Sequence, residues 1–157
     1  MPNTEVNDPV LISDPGKSAV THVVAAVIWD QNDSGHFLIS KRQKGKHLQG
    51  LWELPGGKTE INETAREALC RELNEELGID VLEAEPFIEV SHSYPDREIL
   101  LDVWTVSQFT GEAHSREQQE LQWIDFSQIK NFNFPEADLP VLDAIVNSAK
   151  AERANRL

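Results

Sequence analysis

The chain has 157 residues, of which 39% are hydrophobic and 26% charged, with a formal net charge of −13. That length gives one domain a proper core but not two, and the composition is ordinary for a soluble globular protein. The acidic excess excludes electrostatic binding to DNA or RNA, whose phosphate backbone is held largely by Lys and Arg.

Residues 1–18 combine prolines and polar residues without periodicity and are expected to form a flexible tail with no catalytic role. The apolar, β-branched run VTHVVAAVIW from Val20 to Trp29 predicts a buried strand. Asp30 to Gly35 (DQNDSG) predicts a turn and His36 to Arg42 a returning strand, together a hairpin. Gly45 to Gly57 reads as a loop, in which the paired Gly56 and Gly57 permit close backbone approach and unusual dihedrals. A helix is predicted from Thr64 to Leu77, with Gly78 ending it. Strands follow at Phe87 to Ser91, Ile99 to Gln108 and Leu121 to Asp125, then a helix from Leu139 to Ala149 burying Val141, Leu142, Ile145 and Val146. Strands and helices mix without a strict βαβ rhythm, so the expected fold is α/β, layered α/β/α around a mixed sheet. The domain is expected over residues 19–150, with a C-terminal tail at 151–157.

The first helix carries the chemistry. Five glutamates crowd Glu63 to Glu76, and Glu72, Glu75 and Glu76 fall within an arc of about 100° at the helical period. Like charges held so close destabilise one another unless a cation sits between them. Ala65 and Ala68 are expected to leave room for one, while Leu69, Leu73 and Leu77 form a core-facing stripe. Hard divalent cations such as Mg²⁺ choose oxygen ligands of this kind, completed by substrate phosphates. From charge alone, a solvated acidic face and a metal site both remain open. Thr64 and Glu67 form a capping-box pattern, which assigns Glu67 to helix initiation. The single cysteine, Cys70, excludes an intrachain disulfide and reads as small core filler.

The spacing adds to this. Gly57, Glu63, Arg71, Glu72, Leu73, Glu75, Glu76, Gly78 and Ile79 match every specified position of G-x5-E-x7-R-E-U-x-E-E-x-G-U, where U is a bulky aliphatic residue. The chain therefore resembles the Nudix hydrolase family. LWELPGGK at Leu51 to Lys58, YPDR at Tyr94 to Arg97, GEAHSREQQELQW at Gly111 to Trp123 and FPEADLPVL at Phe134 to Leu142 are similar, in that order, to segments of its MutT-type members.

The resemblance implies a Nudix-type sandwich and hydrolysis of a nucleoside triphosphate, 8-oxo-dGTP foremost, to a monophosphate and pyrophosphate. It implies Mg²⁺, with Mn²⁺ as a substitute, on the Gly56 carbonyl, Glu72, Glu75, Glu76 and Glu117. Catalytic roles fall to Glu72, Glu63, Glu117 and Arg71, and substrate contacts to Arg42, Leu54, Arg97 and Asp138. Asp138 departs from the asparagine usual in the MutT-type group. An ionised aspartate only accepts hydrogen bonds, which leaves a pyrimidine nucleotide such as CTP or 5-methyl-dCTP as the alternative substrate. A Nudix-fold binding module without catalysis is disfavoured because no motif glutamate is missing. A free nucleotide suits an acidic protein, since a bound cation supplies positive charge where phosphates sit. No apolar run has transmembrane length and no signal-peptide pattern opens the chain, so a cytoplasmic monomer without membrane or nucleic-acid partners is expected.

Overall fold

A computed structural model describes residues 19–33, 35–43 and 50–156, with side chains to residue 152. The expected tail at 1–18 lies outside the described residues. The element order is β1 (Val20–Ile28), β2 (His36–Lys41), β3 (Trp52–Glu53), β4 (Gly56–Lys58), α1 (Ala65–Leu77), β5 (Asp80–Tyr94), β6 (Arg97–Thr110), β7 (Leu121–Asp125) and α2 (Leu139–Arg156). Short 3-10 turns occupy Phe126–Asn131 and Glu136–Asp138.

A four-stranded sheet is ordered β4-β1-β6-β5, and a three-stranded sheet β3-β2-β7. β1 runs parallel to β6, from Val20 opposite Glu98 to Ile28 opposite Val106, and antiparallel to β4. The larger sheet is thus mixed, as expected. β1 divides the core. Val24, Ala26 and Ile28 pack with Leu69, Leu73 and Leu77 of α1, whereas Ala25 and Val27 pack with Val141, Leu142 and Ile145 of α2. A strand buried on both faces is why its sequence is continuously apolar rather than alternating.

Several expectations are corrected. β1 and β2 are not a hairpin: they belong to different sheets and meet through a single bridge, Trp29 to Phe37. Their turn sequence is right, but β1 pairs with β6 along its whole length and with β4 at Val23, Val24 and Ala25, while β2 pairs with β3 and β7. The expected loop before α1 contains β3 and β4. β5 is far longer than Phe87 to Ser91; Pro86 and its charged residues are tolerated because it is the edge strand, where missing donors and register shifts cost little. α2 continues past Ala149 to Arg156, through residues expected as tail. Cys70 is only partly buried, within 3.8 Å of the Arg66 guanidinium, so it is not core filler. No helix among the described residues is long and apolar enough to cross a membrane.

α1 is held at both ends and along one stripe. Thr64 caps it in a capping box with Glu67, and Gly78 terminates it at φ 71°, the left-handed region that glycine adopts without strain. Leu69, Leu73 and Leu77 are fully buried. Leu73→Ala is expected to cost about 2–5 kcal/mol in chemical denaturation. Ile61→Ala, at a side chain 92% exposed, should stay within about 0.5 kcal/mol of wild type.

Candidate active site

A cavity of about 500 Å³ opens between α1, β4, the β2–β3 region and the turn before α2. Its size suits a nucleotide-sized ligand. Gly56, Glu72, Glu75, Glu76 and Glu117 line it, as do Arg42, Leu54, Arg97 and Asp138. Glu63 and Arg71 do not line it.

Arg71 organises the acidic helix from outside the cavity. Its Nε donates to Glu63 Oε2 at 2.6 Å and its Nη2 to Glu63 Oε1 at 3.0 Å, a bidentate pair. Nη1 reaches Glu72 Oε2 at 3.0 Å and Glu75 Oε1 at 3.3 Å, while Nη2 also donates to the Lys58 carbonyl at 3.1 Å. The Arg71 hydrogen bonds hold the Glu63 carboxyl below its ordinary range, and Glu63 in return raises Arg71 further. Glu63 Oε1 also accepts the Glu60 N–H at 2.9 Å. This pair fastens the segment between β4 and α1.

The inner carboxylates are not neutralised this way. Burial pushes Glu76 up strongly, and the charges of Glu53, Glu72 and Glu117 add to it. Burial also raises Glu72, with Arg71 opposing. Glu72 and Glu76 share a hydrogen bond that lowers the first and raises the second. The expected convergence of Glu72, Glu75 and Glu76 on one point is therefore corrected. Among the described residues no such group of ligands meets at a common point, because Arg71 draws Glu75 and Glu72 while Glu76 turns to Glu72.

The donor set nevertheless fits a hard divalent cation. Carboxylate oxygens line an anionic cavity in which burial and crowding raise Glu72 and Glu76, and a cation would relieve the same repulsion. Room comes from Gly57: a Cβ there would overlap the Glu72 carboxylate. At Gly56 a Cβ would overlap the Val24 carbonyl, so that glycine lets β4 close on β1. Close approach is found at both positions, but neither has positive φ, and the expected unusual dihedrals are absent. Ala68 and Ala65 pack on the sheet and do not provide the space.

Three residues not singled out from the sequence also shape the cavity. Glu53 Oε1 accepts from Arg42 Nη1 at 2.5 Å and raises both Glu76 and Asp138 electrostatically. A charged residue between the buried Trp52 and Leu54 was the available signal. Tyr94 lines the wall and its hydroxyl accepts the Ala137 N–H at 3.0 Å. Gln119, beside Glu117, is buried and lines the same cavity. Arg97 Nε lies 3.8 Å from Asp96 Oδ2 in the β5–β6 turn.

Asp138 is 8% exposed, in the 3-10 turn that leads into α2. Burial first and the Glu53 charge second push its carboxyl up to about 7, with Arg42 opposing.

A profile of the NUDIX domain matches residues 24–144. An 8-oxo-dGTP diphosphatase of Proteus vulgaris is 43% identical over 91 residues, 58% of this chain and 80% of that protein. A CTP pyrophosphohydrolase of Escherichia coli strain K12 is 35% identical over 133 residues, 85% of this chain and 96% of that protein. A solved structure of MutT, from work on the Aliivibrio salmonicida and Vibrio cholerae proteins, is 34% identical with a TM-score of 0.71, covering 82% of this chain and 98% of that one.

The raised Asp138 carboxyl gives a stability test. Its unfolded value is near 3.9, so the native state binds this proton more tightly, and the cost of the buried charge appears as pH rises from about 4 to 7. Asp138→Asn should therefore raise Tm above wild type at pH 8, by roughly 3 °C for each kcal/mol relieved, with the gain shrinking at pH 5. A gain independent of pH would assign it to something other than this charge.

Proposed function

The chain belongs to the NUDIX hydrolase family, MutT type, and on that premise we propose that it is a Mg²⁺-dependent nucleoside triphosphate pyrophosphohydrolase. Its first substrate is 8-oxo-dGTP, cleaved to 8-oxo-dGMP and pyrophosphate in a cytoplasmic cleansing of the nucleotide pool that supports DNA replication and repair. The observation that carries this reading is the anionic cavity itself, where Glu72, Glu76 and Glu117 line one space, and burial first and the neighbouring carboxylates second push Glu76 up.

Glu72, Glu75, Glu76, Glu117 and the Gly56 carbonyl would hold Mg²⁺, with Mn²⁺ as a substitute; the ion offsets phosphate charge and acidifies bound water. Water adds to one phosphorus of the α–β anhydride, the bond from that phosphorus to the bridging oxygen breaks, and the nucleoside monophosphate and pyrophosphate separate, the bridging oxygen staying with the group that is displaced. Glu72 or Glu117 takes the proton of the attacking water. Arg71 and Glu63 act by holding α1 against the preceding segment. Arg42, Leu54 and Arg97 line the route of the substrate, and Asp138 meets the base. The names of the comparison proteins support both an oxidised purine and a cytosine nucleotide as substrate, and Asp138 is the residue through which we propose to distinguish them.

Glu72→Gln keeps the side-chain volume but removes the charge, so kcat for pyrophosphate release should fall at least about 100-fold while the protein stays folded. Wild-type turnover in this variant would remove Glu72 from the reaction.

The base is tested at pH 8, where Asp138 is ionised and only accepts. It then suits the N7–H of 8-oxoguanine or the amine of cytosine, but offers nothing to O6. Asp138→Asn supplies that donor and should raise kcat/KM for 8-oxo-dGTP relative to dCTP by tenfold or more. A change under about threefold, less than the ~1 kcal/mol of one net hydrogen bond, would take Asp138 out of base recognition.

A further inference from the structure

Glu117 belongs to the loop between β6 and β7, and that loop is fastened to α1 through one buried side chain. Gln119 is 9% exposed, a degree of burial that an amide in a loop tolerates only when its hydrogen bonds are made. Its Oε1 accepts from Ser115 Oγ at 2.7 Å and from the Glu117 N–H at 3.1 Å. Its Nε2 donates to the Glu76 carbonyl at 3.3 Å, which also accepts the Arg116 N–H at 3.0 Å. The backbone of Glu76 on the helix and that of Glu117 on the loop are thus joined by one amide.

A second observation lies between them. Gln118 has φ 65°, one of two positive values outside glycine among the described residues. The left-handed region is strained for a residue with a Cβ and persists where the surroundings enforce it. Here the enforcing contacts are those of Gln119 on one side and, on the other, the Gln43 Nε2 bond to the Glu117 carbonyl.

We infer that Gln119 is a positioning residue, which locks the loop onto the end of α1 so that the Glu117 carboxylate is presented in register with Glu72 and Glu76. The amide is chemically required. It donates to a carbonyl at one end and accepts from two donors at the other, which neither a carboxylate nor a hydrocarbon does. Gln119 touches no reacting atom in this role, which rests on the pyrophosphohydrolase reading and acts through Glu117.

A double-mutant cycle tests it, with wild type, Gln119→Leu, Glu117→Gln and the double variant assayed for pyrophosphate release at saturating nucleotide. Gln119→Leu should lower kcat about tenfold or more, the scale of a misplaced catalytic group, with nucleotide KM within about threefold. The Mg²⁺ concentration giving half-maximal rate should rise. In the Glu117→Gln background the same substitution should change kcat by less than about twofold, because its route of action is gone. Equal fold-losses in both backgrounds, or wild-type kcat in Gln119→Leu, overturn the inference. Should Gln119→Leu not fold, Ser115→Ala and Gln119→Glu replace it. Each breaks one arm of the same hub and is held to the same criterion of non-additivity. A wild type that releases no pyrophosphate overturns the proposed function and this role with it. An active wild type with an equally active Glu117→Gln overturns this role alone.

Discussion

The constraint on which the site depends is the repulsion among carboxylates held on and around one helix. Arg71 relieves it on one side only. Its planar guanidinium satisfies Glu63 in bidentate fashion, reaches Glu72 and Glu75, and closes on the Lys58 carbonyl. A lysine, with three donors at a single point, could not hold that many fixed directions at once. The result is a lopsided helix, with charge compensated toward the segment that precedes it and left concentrated toward the cavity. Glu76 carries the consequence: burial first, and the charges of Glu53, Glu72 and Glu117 after it, push its carboxyl up.

Holding that charge in place requires a rigid mount, and the fold supplies one from several directions. The leucine stripe fixes the rotation of α1 against β1, and the capping box fixes its start. Its last turn contains no basic residue. The loop before β7 compensates, since the His114 and Arg116 N–H groups and the Arg116 guanidinium bond to the carbonyls of Leu77, Glu76 and Asn74. Gly56 brings β4 against β1, and Gly57 leaves the space that the Glu72 carboxylate fills. Catalytic groups on elements packed this way keep their geometry better than groups on free loops. Glu117, on a loop, needs its own anchor, and the amide of Gln119 provides it.

What the sequence made legible was local. The cap at Thr64, the αL end at Gly78 and the Leu69–Leu73–Leu77 stripe each depend on residues within a turn or two, and the structure reproduces them. Non-local competition was not legible. Nothing in the turn after Trp29 reveals that β4 and β6 outcompete β2 for β1. Pro86 hid the length of β5, because edge placement is a property of the whole sheet. In the site, the motif positions on α1 could be read from spacing, whereas Glu53 could not, since its relevance comes from facing Glu76 and Asp138 across the cavity. The space beside Glu72 was assigned to Ala65 and Ala68 and is made by Gly57, because helical spacing gives a face but not what packs on it.

The electrostatics around Asp138 differ from those of the carboxylates on α1. Arg42 is bonded to Glu53, and Asp138 lies near both, buried and raised to about 7. A carboxyl with that value divides between two forms near neutrality. Protonated, it donates and accepts; ionised, it only accepts. The donor at this position thus depends on pH and on the charge nearby. A substrate edge that offers an acceptor selects the protonated form, and an edge that offers only donors selects the ionised one. Each such edge would favour one protonation state of the same buried side chain.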